Sequence, residues 1–305
     1  MTIKLSSKLK MSDQKWSGKT RGWGLGIKIF LALIKFFGFI PAYILLIPVC
    51  FVHTIINSNA RKAVKQFRRH LGLSTNFFDY YAHFFSFSIT LIHKSGFLIG
   101  KNRRIKYLTK NENYIENIAR TGKGVILLSA HIGNFELAGE ILSERISAKL
   151  NILMVERDGK KMKKIYETVN RNRKVNIILS DGEALETALK IKNALQNGEI
   201  VAALGDRYIG DNVAEIEFLG EKAKFPRGIF EIAAITQTPI IPVFTTRKSV
   251  NVYEFCACEP IEILNSDRKK REEFVFDAMC DFVNRVAEHA KRTPLQWYNY
   301  YCFWD

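Results

Sequence analysis

At 305 residues, 47% of them hydrophobic, the chain can bury a full α/β core, and its length suits one large domain with an appendage better than two independent domains. With 46 Lys and Arg against 30 Asp and Glu, the net charge of +16 calls for a polyanion or an anionic surface: nucleic acid, acidic phospholipid, a phosphorylated metabolite or an acidic carrier protein. The five cysteines (Cys50, Cys256, Cys258, Cys280, Cys302) are odd in number and scattered in apolar surroundings, which excludes a disulfide framework and a zinc spacing and points to a reducing compartment.

The first distinctive segment is "FFGFIPAYILLIPVCFVHTII", Phe36 to Ile56, which carries no Asp, Glu, Lys or Arg. Its length suffices to cross a hydrocarbon core of about 30 Å. Pro41 and Pro48 interrupt it, Lys28 and Lys35 precede it, and Arg61, Lys62, Lys65, Arg68 and Arg69 follow, so the basic flanks set no orientation. A spanning helix and a re-entrant or interfacial anchor resting on anionic headgroups both fit, with a buried core hairpin as the third reading. A cleaved signal peptide fits poorly, because the basic lead-in and the apolar run are both long and no small-x-small site follows.

Residues 61–100 read as helical, first with a basic face ("RKAVKQFRRHLGL") and then rich in aromatics ("FFDYYAHFFSFSITLIHKSGFLIG"). From Gly124 onward short aliphatic runs, "GVILLSA", "NILMVE", "VNIILS", "EIVAALGD", "PIIPVF" and "VYEFCACEPIEI", alternate with helical segments. The helices expected between them are "FELAGEILSERIS", "KKMKKIYETVNRN", "EALETALKIKNALQN" and "IFEIAAITQ", with a last one near 269–291. This alternation predicts an α/β fold: a mixed, largely parallel sheet flanked by helices. The boundary falls near residue 105, between a basic, apolar and helical N-terminal part (1–105, anchor 36–56) and an α/β body (106–305).

Several motif-like stretches carry no chemistry. "SGKT" at 17–20 lacks the first glycine of a phosphate-binding loop, that place being Asp13, and "GWGLG" at 22–26 does not follow a strand. There is no G-x-S-x-G nucleophile elbow. Cys256 and Cys258 alternate on a strand and share a face, which suits burial. No nucleic-acid module accompanies the basic charge, so it is assigned to lipid.

"VILLSAHIGNFELAGE", Val125 to Glu140, is different. In an open α/β sheet ligands gather at the carboxyl ends of the strands, and His131 falls at the end of "VILLSA". Gly133 permits a tight turn, Asn134 suits a helix N-cap, and Glu136 would sit in the first helical turn, where free N–H groups favour a carboxylate. A carboxylate beside one imidazole nitrogen fixes the tautomer and leaves the other to remove a proton from a hydroxyl or amine. The competing reading is a satisfied strand-end histidine beside a helix-start charge.

Support comes from further along the chain. "HIGNFE" resembles the H-x4-D/E box of the lysophospholipid acyltransferase superfamily, in the HxGNxE form of its lipid A late acyltransferase branch. "NILMVERDG" with Arg157 and "ALGDRYIG" with Asp206 and Arg207 look like the second and third blocks, and "FLGEKAKFPRGIFEIAAITQTPIIPVF" resembles the run that closes the family's core. The blocks keep their order from about residue 120 to 245. The C-terminal "QWYNYYCFWD" departs from the basic ending of enzymes that acylate lipid A and is closer to related acyltransferases for aminolipids or aryl-polyene and flexirubin-type products.

The resemblance implies a glycerol-3-phosphate acyltransferase-like fold at the cytoplasmic side of a bacterial inner membrane. It implies transfer of a fatty acyl group from acyl carrier protein or coenzyme A to a hydroxyl or amine of a lipid-like acceptor, with no metal or cofactor. His131 would be the base and Glu136 its orienter, Arg157 and Arg207 would bind phosphate or carboxylate, and Asp206 would hold Arg207 or an acceptor hydroxyl. Gly133 and Asn134 would shape the substrate pocket. Hydrolysis of a thioester or lipid by water at the same base, and a non-catalytic lipid-binding protein, are the competing functions.

Overall fold

In the computed structural model residues 25–101, 105–135, 137, 139, 148–155, 175–180, 184–208, 210–262 and 268–305 are described. The expected helix "KKMKKIYETVNRN" and all but the start of "FELAGEILSERIS" lie outside these residues.

Helices α1 (Leu25–Phe37) and α2 (Phe39–Ile56) meet at Gly38, whose φ of 81° lies in the left-handed region that a side chain disfavours. The uncharged run is therefore divided, with Phe36 and Phe37 closing α1. Pro41 falls in the first turn of α2, where its missing N–H has no intrahelical partner to lose, and Pro48 is carried inside the helix. α2 has 18 residues, about 27 Å at 1.5 Å per residue, and only 28% of them are buried, so it is not a buried core hairpin. Phe39, Ala42, Leu46 and Cys50 form its buried stripe, while Ile40, Ile44, Ile47, Phe51 and Ile55 stay exposed.

α3 (Ser58–His70) is capped by the Asn57 side chain, which accepts from Ala60 N at 3.1 Å. α4 (Phe77–Leu98) starts with a reciprocal capping box between Asn76 and Asp79. The Arg68–Asp79 pair, 2.7 Å, ties the two helices at that start. Along α4 the Phe39 and Tyr43 rings of α2 meet His93, the Cys50 thiol reaches Ser88 Oγ at 3.3 Å, and His53 meets Phe84. The two helices thus pack over most of their length.

The body is a seven-stranded sheet in the order β1-β9-β8-β2-β5-β3-β4. Its strands are β1 (Lys106–Lys110), β2 (Val125–Ser129), β3 (Leu150–Val155), β4 (Val175–Ser180), β5 (Ile200–Leu204), β8 (Ile240–Ser249) and β9 (Val252–Ala257). All neighbours are parallel except β8 and β9, and a separate antiparallel hairpin pairs β6 (Val213–Phe218) with β7 (Glu221–Pro226). The other described helices are α5 (Asn113–Arg120), α6 (Ala184–Gln196), α7 (Gly228–Thr236) and α8 (Arg268–Arg292). The expected α/β architecture is therefore present.

β2 is buried at all five positions because both sheet faces are covered. Successive side chains of a strand point to opposite faces, so Ile126 and Leu128 join the core that contains Ile191, Phe230, Phe282 and Val286 of α6, α7 and α8. Val125 and Leu127 join the opposite core with Ile34, Phe39, Leu46, Ile92 and Ile115, which come from α1, α2, α4 and α5. The N-terminal helices thus share a core with the sheet.

β1 and the β6–β7 hairpin are additions to the expected strands. β1 is a lysine-flanked edge strand, "KYLTK", exposed at alternate positions, and the hairpin is heavily charged on its outer face. Neither shows the aliphatic run that marks a doubly covered strand.

Candidate active site

Three chain segments converge past the carboxyl end of β2. The parallel register of β2 and β5 pairs Ser129 with Leu204, and Gly205 N donates to Ser129 O at 2.8 Å. Two residues beyond that pair, His131 and Asp206 arrive at the same height on neighbouring strands. Asp206 Oδ1 accepts from His131 Nδ1 at 2.7 Å, and Oδ2 accepts from the His131 backbone N–H at 2.8 Å. The third segment is the C-terminal tail, whose Trp297 indole N–H donates to Asp206 Oδ2 at 3.2 Å.

The Asp206 carboxylate is 1% exposed and the His131 side chain 19%. Burial by itself would raise the Asp206 pKa, but the adjacent His131 ring and backbone donors, with Arg207 nearby, outweigh it and hold the group at about 2. An ionised carboxylate on Nδ1 keeps that nitrogen protonated and assigns Nε2 the role of base. It also stabilises the imidazolium formed once Nε2 takes a proton.

The loop after His131 is fixed by close backbone approach. Gly133 has φ +63°, and a Cβ there would stand 2.0 Å from the Thr245 carbonyl oxygen of β8, so only glycine fits. Gly133 N donates to Gln296 O at 2.7 Å and Asn134 N to Thr245 O at 2.8 Å. The Asn134 side chain is buried at 3% exposure, and Leu137 N approaches its Oδ1 at 3.4 Å, the place of an N-cap contact.

The tail encloses this loop. Tyr298 N donates to His131 O at 2.8 Å, and Ile132 and Trp297 form an antiparallel bridge. Gln296 clasps β8 through its side chain, accepting from Arg247 N at 2.7 Å and donating to Arg247 O at 2.9 Å. Behind the tail, His83 of α4 donates Nε2–H to Trp297 O at 3.1 Å; burial lowers its pKa to about 4, so it is neutral. The Tyr298 hydroxyl lies 2.9 Å from Thr90 Oγ1. Phe218 of the hairpin stacks on Trp304 and meets Trp297 edge-on, Phe225 meets Phe303 edge-on, and Trp304 Nε1 donates to Phe218 O at 3.1 Å.

Arg207 stands beside the pair, donates Nη2 to Tyr298 O at 2.7 Å and places its guanidinium 5.9 Å from the Tyr301 ring centroid. Glu136 and Arg157 lie outside the described residues. Of the sequence candidates, His131, Gly133, Asn134, Asp206 and Arg207 are therefore gathered in one place. Asp206, expected on Arg207 or on an acceptor hydroxyl, engages the catalytic-base candidate itself.

Trp297, Gln296 and Thr245 escaped the sequence reading. The unusual density of aromatics in "QWYNYYCFWD" was the available signal, but it pointed to the acceptor rather than to the support of Asp206. Among the described residues no three His, Cys, Asp or Glu side chains converge as a metal site.

The geometry of the buried His–Asp pair is that of a general base with its orienter. Such a pair suits direct attack by an acceptor hydroxyl, amine or water on an activated carbonyl. The family model described as bacterial lipid A biosynthesis acyltransferase matches residues 88–299, which take in the second half of α4, the sheet and the first four residues of the aromatic tail. None of the curated proteins searched matches the chain.

Proposed function

The chain belongs to the bacterial lipid A biosynthesis acyltransferase family, and on that premise we propose that it moves a fatty acyl group from an acyl thioester to a hydroxyl or amine of a lipid-like acceptor. The observation that carries the reading is the 2.7 Å contact between His131 Nδ1 and the buried Asp206 carboxylate. In this mechanism His131 Nε2 removes the acceptor proton as the oxygen or nitrogen attacks the thioester carbonyl. The tetrahedral intermediate collapses, and the thiolate leaves with the proton held on the imidazolium. Asp206 stabilises that cation, and hydrogen bonds from the Trp297 indole and the His131 amide hold Asp206 in place. Because the thiolate is a good leaving group, the remaining demands are alignment of acceptor and donor and stabilisation of the oxyanion.

The donor is acyl carrier protein or coenzyme A, both polyanionic and both suited to a chain of net charge +16. A lipid A precursor is the first acceptor to test, on family grounds, with an aminolipid or an aryl-polyene or flexirubin-type product next. Glu136 and Arg157 are proposed as further residues of the site, and Arg207 as an anion partner. The exposed aliphatic face of α2 and the basic residues of α3 support contact with an anionic membrane surface, and the cytoplasmic side of a bacterial inner membrane is proposed on family grounds.

The test is transfer of labelled acyl chains by the full-length protein in nanodiscs, with acyl carrier protein and coenzyme A donors and each acceptor class supplied separately. Label in the acceptor lipid, lost in His131→Ala, supports the reading. Release of free fatty acid alone would identify a hydrolase, and no thioester turnover with any donor would overturn it.

A further inference from the structure

β8 continues past the carboxyl end of β2, since Pro242 already stands opposite Leu128. By strand alternation Thr245 and Arg247 share a face with Val243, which packs in the core that α4 helps to build, while Phe244 faces α8. Thr245 therefore adjoins the catalytic loop, whose Asn134 N–H donates to its carbonyl, and Arg247 follows about 6.6 Å further along the strand. Arg247 Nη2 donates to Ser86 Oγ of α4 at 2.8 Å and comes within 3.5 Å of Ser86 O. Among the described residues no carboxylate pairs with this partly buried guanidinium.

The groups around Arg247 are uncharged. Tyr253, opposite it on β9, keeps its proton because burial raises its pKa. His93 bonds to the Tyr253 hydroxyl through Nδ1 at 2.7 Å and to the Tyr43 hydroxyl through Nε2 at 2.5 Å, and burial, then Arg247 itself, lowers its pKa to about 3. Beside this cation two buried donors have no partner among the described residues, Asn134 Nδ2 and Thr245 Oγ1. Their residues are 3% and 0% exposed. Folded proteins leave few buried donors unpaired, because each has given up its bonds to water.

We propose that Arg247, with Thr245 and Asn134, forms a binding site for an anionic group, a phosphate or carboxylate carried by a substrate. The inference deepens the acyl-transfer reading and rests on it for the word substrate. Such an anion supplies what the site lacks: negative charge for the guanidinium and acceptor oxygens for the two donors. Arg247, the partly exposed member, meets the anion first, and the inner donors take its remaining oxygens. On the opposite side of His131, Trp297 is engaged by Asp206 and Arg207 donates to Tyr298 O, so Arg247 serves the β8 side of the catalytic loop. An anion held there, away from the reacting atoms, turns binding energy into alignment of the rest of the molecule against His131. A lipid headgroup and the phosphates of the thioester donor share this chemistry.

The experiment measures binding rather than turnover, by calorimetric titration of the full-length protein in neutral detergent at about 0.15 M salt, where exposed charges are screened. The probes are dodecyl phosphate, for a lipid headgroup, and coenzyme A, for the donor. Arg247→Gln should weaken one of them about tenfold or more through loss of a charge-assisted contact, and Arg247→Lys should recover part of that affinity. Lys222→Gln, which removes an exposed charge from β7, should leave both unchanged. A loss confined to dodecyl phosphate identifies the acceptor as the source of the anion, and a loss confined to coenzyme A identifies the donor. Thr245→Val removes a hydroxyl that bonds nothing in the protein, so binding should weaken about threefold or more while Tm does not fall. The proposal is overturned if the parent binds neither probe saturably, if Arg247→Gln binds as the parent does, or if Lys222→Gln loses as much. A lowered Tm with unchanged binding in Thr245→Val would overturn it too. Because no arm needs turnover, binding through Arg247 without acyl transfer would sink the acyl-transfer reading and leave the anion site standing.

Discussion

Replacing Asp206 by Asn changes almost nothing in volume and reverses the logic of the site. The carboxylate accepts three hydrogen bonds, from His131 Nδ1, the His131 amide and the Trp297 indole. An amide offers one oxygen for these donors and sets an N–H against at least one of them. If the amide nitrogen faces Nδ1, the ring switches tautomer, Nε2 carries the proton, and the base is lost. Wrong-tautomer substitutions of this kind cost about 10⁴-fold in kcat, or about 5 kcal/mol at ~1.4 kcal/mol per decade. Stability falls too. The drop of the Asp206 pKa from 3.8 to about 2 corresponds to about 2 kcal/mol of folding free energy that an amide cannot supply. Initial rates of acyl transfer from a labelled thioester, measured from pH 6 to 9 alongside thermal unfolding, test both parts. An Asp206→Asn protein within about threefold of the parental rate across that range would refute the orienter assignment.

Further outcomes follow from the same geometry. Trp297→Phe keeps the ring packing and removes the indole donor to a charged acceptor, so it should lower kcat about tenfold and cost about 2 kcal/mol of stability, read by steady-state kinetics and chemical unfolding. Gly133→Ala forces a Cβ onto the Thr245 carbonyl at positive φ; it should cost about 3 kcal/mol or more and abolish activity, visible as a lowered Tm. The Asp206 contribution has a fixed sign: its folded pKa lies below the ordinary value, so the stabilisation is complete above pH 3.8 and is lost as pH falls through about 2. Acid titration of unfolding should show the parent losing its advantage over Asp206→Asn in that window. Ile44→Glu with Ile47→Glu, on the exposed face of α2, should leave Tm unchanged and weaken sedimentation with anionic vesicles; undiminished binding would move the membrane contact elsewhere.

Much of the architecture was legible in local pattern. "VILLSA", "NILMVE" and "VNIILS" are strands within a residue or two of their expected limits, because doubly covered parallel strands are written as uninterrupted aliphatic runs. β1 and the β6–β7 hairpin were not legible, since an edge strand and a charged hairpin carry alternation rather than a run. The uncharged run of residues 36–56 shows both sides of this. Its uncharged length was plain, but its division at Gly38 and its one-sided packing on α4 depend on contacts that no local window contains.

The site divides along the same line. His131 at a strand end and the cap position of Asn134 are legible in the sequence alone, because each depends on neighbours within a few residues, whereas the requirement for glycine at 133 is completed by the Thr245 carbonyl of β8. The partner of His131 is a tertiary decision. Asp206 lies 75 residues away and reaches Nδ1 only because β2 and β5 pair in the register Ser129 to Leu204; Trp297, 91 residues beyond Asp206, reaches the same carboxylate only because the tail folds back between α4 and the hairpin. Parallel strands are joined through long crossovers, so their register is set by packing of the whole sheet and leaves no mark on either strand alone.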